Sequence, residues 1–146
     1  MNGLGGLVAF TLGWMVAQVG KPLVALVQKR GKMSGKELFH QLTKSGGMPS
    51  GHTASFVALT MFLGLKDGFD SSIFVLAVGM ALIVIYDAVN VRMAVGEQGK
   101  KLNDLAVEQG HKGKKLRVVE GHTVPQVIVG GVLGVLVGWI TFVLVG

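Results

Sequence analysis

The chain has 146 residues, of which 50% are hydrophobic and 15% charged, with a formal net charge of +6. It contains 23 glycines and no cysteine, which excludes disulfides, thiol catalysis and cysteine-ligated metal centres. A mean hydropathy of +0.57 together with so many glycines is typical of membrane helices that approach one another closely. We predict a single all-α membrane domain over residues 1–146. The basic residues lie between apolar segments without a recognition pattern, so no nucleic-acid partner is expected.

The first apolar segment, about Leu4 to Val27, is long enough to cross a hydrocarbon core, which needs ~20 residues. Gly6, Gly13 and Gly20 recur every seven residues and predict a face for close helix packing. Lys21 interrupts the inner third of this segment. An ionisable residue at that depth is costly and is a functional candidate, and the alternative is a lysine that reaches to the surface.

A glycine-rich polar loop, residues 45–49, leads directly into a second apolar segment of about Ser50 to Leu65. Ser50 can cap the first turn, where free N–H groups and the positive end of the helix dipole form an anion site. His52 lies on that site as an acid, base or nucleophile, although an ordinary capped helix with an incidental histidine is the alternative. The apolar part, Ala54 to Leu65, is short for a span, so a re-entrant segment must also be considered.

A third helix is predicted from about Ser72 to Ala94, with Asp70 or Ser71 as its N-cap, followed by a basic loop from Arg92 to Glu120. Asp87 and Asn90 lie on one face near the inner end of this helix. Asp87 has two interpretations, as a member of the site or as a buried ion-pair partner, for example of Lys21.

The last helix, about Val124 to Val145, carries Gly130, Gly134 and Gly138 at GxxxG spacing. Such a face packs against a helix of the same chain or of another subunit. We predict a homodimer through glycine-rich helix faces.

The sequence Gly-His-Thr occurs twice, at His52 and at His122, each time just before an apolar helix. Pro125 lies in the first turn of the later helix, where proline is tolerated. Two histidines at two helix starts predict one bipartite site. His40 and His111 lie in polar sequence and are expected at the surface.

Charge distribution predicts the topology. If the second helix crosses the membrane, twelve of the fourteen basic residues lie on one side, which the positive-inside rule makes cytoplasmic. We therefore predict a bundle of four transmembrane helices with both termini outside. His52, Arg92 and His122 would then lie at cytoplasmic helix ends, close to Lys21.

Two imidazoles, a lysine, an arginine and helix N-termini suit phosphoryl transfer without a metal. One histidine can attack phosphorus and the other can protonate the leaving oxygen. A metal-dependent transferase is a weaker alternative, since its oxygen ligands show no tight spacing. Those ligands would be Asp87, Glu97, Asp104 and Glu120.

Three sequence blocks resemble the divergent PAP2 family, small membrane proteins related to acid phosphatases and vanadium haloperoxidases. The blocks are residues 45–54, residues 87–103 with Asp87-Ala88-Val89-Asn90-Val91-Arg92 at their start, and residues 121–130. The resemblance covers nearly the whole chain. It implies a helical membrane protein with a histidine-based phosphatase site that acts on a lipid phosphate. With the charge distribution described above, we predict a protein of the bacterial inner membrane whose site faces the cytoplasm.

The resemblance also implies roles for individual residues. The Pro-Ser-Gly-His motif falls on residues 49–52, which implies phosphate binding by Ser50 and Gly51 and general acid work by His52. His122 matches the histidine that is the nucleophile in the superfamily's last motif, which implies the same role for His122. Gln126 stands where the superfamily has aspartate and can accept a hydrogen bond from the imidazole.

Cations complete the implied site. Lys21 matches the lysine of the first superfamily motif, while Gln28 stands where that motif has arginine. Arg92 and Arg117 are the candidates for the remaining phosphate-binding arginine. No metal or cofactor is expected, although vanadate can occupy a site of this kind.

Two functions follow from these residues. The first is a phosphatase or phosphotransferase that acts on a lipid, for example isoprenoid, phosphate or diphosphate within a membrane of other lipids. The second is a catalytically inactive membrane protein that binds a phosphorylated lipid or a partner, which Gln126 and the incomplete first motif favour.

Overall fold

The computed structural model describes residues 4–29, 31–43, 46–110, 113–118 and 121–146. Over these residues the fold is entirely helical, as the sequence predicts. The elements in chain order are α1 (Leu4–Gln28), α2 (Gly35–Thr43), α3 (Gly51–Asp67), α4 (Ser72–Tyr86), a π-helical segment (Asp87–Val91), α5 (Arg92–Glu108) and α6 (Val124–Val145).

Three helical stretches in the described part of the chain are long and apolar enough to cross a membrane. They are α1, the continuous helix from Ser72 to Glu108, and α6. The helix α3 has 17 residues, fewer than the ~20 that a span requires. The membrane character of the chain is thus supported, while the fourth span stays a prediction.

The short helix α3 lies at the centre of the bundle and packs against α1, α4 and α6. Its Ala54, Ala58 and Phe62 side chains are almost fully buried. A Cβ atom added at Gly13 of α1 or at Gly134 of α6 would lie 2.7 Å from the Ala54 carbonyl oxygen. Both outer helices therefore pack on α3 at a distance that only glycine permits.

The two glycine faces predicted from the sequence are thus used within the chain. Gly130 and Gly138 lie against the backbone of Ser50 and Ala58 of α3, in line with Gly134. Of the two arrangements considered for the last helix, the structure shows packing against a helix of the same chain. A homodimer remains a prediction, and it would need another surface.

The segment after the third predicted helix also differs from expectation. Where the sequence predicts a loop from Arg92 onward, the helix continues through α5 to Glu108. Polar residues such as Glu97 and Lys100 are good helix formers, so the loss of hydropathy ends the membrane segment but not the helix. Asn103 of α5 then holds the following chain through bonds of 2.8 and 3.0 Å to the backbone N–H and carbonyl of Leu116.

Candidate active site

His52 lies on the first turn of α3, whose start is fixed by Ser50. The Ser50 hydroxyl oxygen accepts hydrogen bonds from the Thr53 backbone N–H (3.4 Å) and the Thr53 hydroxyl (3.0 Å). The Ser50 N–H donates to the Gln126 carbonyl at 3.1 Å, which joins the start of α3 to the start of α6. Ser50 is fully buried while His52 is exposed. The capping serine thus anchors the turn from which His52 projects.

His122 lies two residues before α6 and is only 3% exposed. Its Nδ1 is 3.3 Å from Gln126 Oε1, and this oxygen also accepts the Thr123 N–H at 3.1 Å in a capping box. A carbonyl oxygen can only accept, so the proton lies on Nδ1 and the lone pair on Nε2. Gln126 therefore orients the His122 ring, as the third group of a catalytic triad does, and the Gly47 backbone is a further hydrogen-bond partner of the ring.

The two histidines face each other, with ring centroids 6.4 Å apart and an angle of 63° between the rings. The charges of Arg92, Lys21 and Asp87 act on His52, and Lys21 also acts on His122. The folded chain thus brings together the histidine pair and two of the three cations that the sequence predicts.

Burial is the main influence on the pKa of His122 and holds it below the usual value of 6.5. The hydrogen bonds to Gln126 and to the Gly47 backbone raise the pKa, and the charges of Lys21 and His52 lower it. At neutral pH the His122 ring is therefore uncharged, the form that a nucleophile requires.

A cavity of about 580 Å³ with a mixed polar and apolar wall lies next to His122, and Gly121, Thr123 and Gln126 line it. His52 and His122 themselves do not belong to the described wall. Lys21, Lys29 and Lys100 supply positive charge to its wall, and Glu97 supplies one negative charge. The volume lies within the range of small-molecule sites.

The remaining predicted site residues lie elsewhere or act structurally. Gly51 is buried beside Trp14. Arg117 is exposed and does not belong to the cavity wall that the structure describes. Asn90 is exposed, and its amide donates to the Tyr86 carbonyl at 3.3 Å. Arg92 does not belong to the described cavity wall either, but its charge acts on His52, which favours Arg92 over Arg117.

Sequence reasoning missed one contributor to the site, the backbone of Ala88. Its carbonyl accepts the His122 N–H at 2.9 Å, and Ala88 is only 1% exposed. An alanine carries no chemical signal in a sequence. The sequence signal nearest to Ala88 is a pair of opposite charges five residues apart, Asp87 and Arg92. Their side chains form an ion pair at 2.6 Å.

Comparisons with known proteins place the chain in a family. The sequence pattern of the divergent PAP2 family matches residues 5–137. The chain is also 34% identical over 110 residues to YuiD of Bacillus subtilis strain 168, described as an uncharacterized membrane protein, covering 65% of this chain and 70% of that one. No solved structure matches. The chain is thus a membrane protein that belongs to the divergent PAP2 family.

Proposed function

We propose that the chain is a membrane-embedded phosphatase or phosphotransferase that acts on a lipid phosphate or diphosphate without a metal. The observation that carries this proposal is the histidine pair, whose ring centroids are 6.4 Å apart. The charges of Lys21 and Arg92 act on His52, and Lys21 also lines the neighbouring cavity. Family membership supports a phosphatase-related role. The substrate lies in the membrane, which we propose is a bacterial inner membrane, with both termini outside and the site on the cytoplasmic side.

The proposed reaction has two steps. His122 Nε2 attacks phosphorus and forms a phosphorus–nitrogen bond, while the bond to the leaving oxygen breaks and protonated His52 donates a proton to that oxygen. In the second step, neutral His52 takes a proton from water, or from an acceptor alcohol, whose oxygen attacks phosphorus and releases His122. Lys21 and Arg92 stabilise the negative charge on the phosphoryl oxygens throughout.

The test is phosphate release by the purified protein in detergent from a panel of lipid mono- and diphosphates, with and without EDTA. We expect turnover that EDTA does not reduce. If no substrate of the panel releases phosphate but the protein still binds phosphorylated lipids, the chain is a binding protein and not an enzyme. Gln126 favours that second function, because an amide cannot stabilise an imidazolium with a charge.

The lowered pKa of His122 predicts the acid side of the pH profile. Attack requires the neutral ring, so kcat/KM should rise with pH as His122 loses its proton. Because burial lowers this pKa, the midpoint of the rise should lie below 6.5. A profile of kcat/KM over pH measures the midpoint in the free enzyme. A rise centred well above 6.5 would contradict His122 as the nucleophile.

Gln126→Glu should move that midpoint. The carboxylate keeps the capping box, since glutamate serves as well as glutamine at this position. Its negative charge favours the imidazolium, so the midpoint should shift upward by about one pH unit. Gln126→Leu, which loses the acceptor, should instead lower kcat/KM across the profile. Identical midpoints in Gln126→Glu and the unaltered protein would show that Gln126 does not contact His122 in the working enzyme.

A further inference from the structure

The helix that leaves the bundle after Tyr86 changes its hydrogen-bonding pattern beside the site. In the π-helical segment, the Arg92 N–H bonds to the Asp87 carbonyl five residues back. In an α-helix it would bond to the Ala88 carbonyl, four residues back. The Ala88 carbonyl, without this donor, accepts the His122 N–H at 2.9 Å. The change of helix type thus creates the acceptor that holds the nucleophile's backbone.

A second contact binds the same two chain segments. A Cβ atom added at Gly121 would lie 2.5 Å from the Met93 nitrogen, so the chain before His122 passes directly over the start of α5. Only glycine permits this approach, since even one carbon atom would displace a backbone. His122 is therefore fixed against the helix that carries Arg92.

The π turn also sets the direction of Arg92. Residues five apart lie about 140° apart around an α-helix, too far for a short ion pair. The wider π turn brings Asp87 and Arg92 toward one face, where Arg92 Nε donates to Asp87 Oδ2 at 2.6 Å. The charges of both residues act on His52. Asp87 thus restrains a cation whose charge acts on His52.

We propose that Asp87 is a positioning residue of the phosphoryl-transfer site, holding Arg92 on the π-helical segment whose Ala88 carbonyl holds His122. The inference rests on the proposed function. As a consequence, Arg92 and His122 are held by the same π-helical segment and contact the same phosphoryl group. The side chains of the pair are 38% and 36% exposed, so their ion pair contributes little to stability. Misplacement of a catalytic group by ~1 Å, in contrast, costs about a hundredfold in rate.

The experiment compares Asp87→Asn, Arg92→Gln and the double variant, with dioctanoyl phosphatidate as the substrate and orthovanadate as the phosphate analogue. The matched control is Glu108→Gln, which makes the same carboxylate-to-amide change at an exposed residue of α5. Asp87→Asn should reduce kcat/KM by about 10- to 100-fold and weaken orthovanadate binding, with a thermal midpoint equal to that of the control. The double variant should be no worse than Arg92→Gln, and Asp87→Glu should recover part of the activity.

If the loss of kcat/KM in the double variant equals the product of the losses in Asp87→Asn and Arg92→Gln, the two residues act independently. That result would overturn the inference. So would unchanged kinetics in Asp87→Asn, or a loss of activity that follows a fall in thermal midpoint. Orthovanadate binding without turnover, weakened by Asp87→Asn, would remove the phosphatase proposal and retain Asp87 as a positioning residue of an anion site. If the unaltered protein shows no turnover and does not bind orthovanadate, both the phosphatase proposal and the role of Asp87 are overturned.

Discussion

His122→Ala should reduce phosphate release by a factor of about a thousand or more, because it removes the atom that forms the bond to phosphorus. The cavity and the cations remain in this variant, so a lipid phosphate should still bind with nearly unchanged affinity. Single-turnover measurement of phosphate release, beside binding of the same lipid, separates the two effects. His122 is almost completely buried, so the variant also needs a thermal unfolding measurement.

Two further variants make the result specific. His52→Ala should lower turnover less than His122→Ala does for substrates with a good leaving group, since such groups need little help from an acid. His111→Ala provides a histidine control and should leave turnover unchanged; this residue lies outside the described residues. Turnover within tenfold of the unaltered protein in His122→Ala would eliminate the proposed nucleophile.

Gly134→Val should separate α6 from α3 and destroy the folded bundle. A Cβ atom at this position would lie 2.7 Å from the Ala54 carbonyl oxygen and 2.8 Å from the Val57 Cβ. Backbone atoms cannot move aside as a side chain can, so the helices must part along their whole contact. Since α6 carries the capping box of Gln126 at its start, the site should be lost together with the fold. We expect a large fall in the thermal midpoint and in the yield of monodisperse protein.

Gly79→Ala is the matched control for this effect. Gly79 also lies in an apolar helix, α4, but a Cβ atom there meets nothing within 4 Å. Alanine favours a helix over glycine, so this variant should be at least as stable as the unaltered protein. Equal stability of Gly134→Val and Gly79→Ala would mean that α3 and α6 do not pack as described.

The sequence predicted the helices best where start and stop signals were strong. The last helix has the predicted bounds, Val124 to Val145, because a proline in its first turn and a purely apolar body define both ends. The histidine pair was predicted by the repeat of Gly-His-Thr. The glycine faces were also predicted, but not their partner, since spacing alone does not tell which helix a small-residue face packs against.

The π-helical segment could not be predicted in the same way. Its Ala88 carbonyl bonds to His122, 34 residues later in the chain, so the local sequence from Asp87 to Val91 does not contain the interaction that it makes. The extension of α5 was missed for another reason. Hydropathy marks the end of a membrane segment, whereas helix propensity persists through charged residues.

On the proposed function, the length of the helix that begins at Ser72 predicts the depth of the site in the membrane. Fifteen residues of α4 and five of the π-helical segment precede Arg92, a distance of about 30 Å along the axis. This length equals the thickness of the hydrocarbon core, so with Ser72 at one boundary, Arg92 lies at the other. That boundary is the level at which lipids carry their phosphates. On the proposed function, the substrate reaches the site by lateral diffusion and leaves its chains in the bilayer, and the mole fraction of the lipid in the membrane sets the rate of encounter.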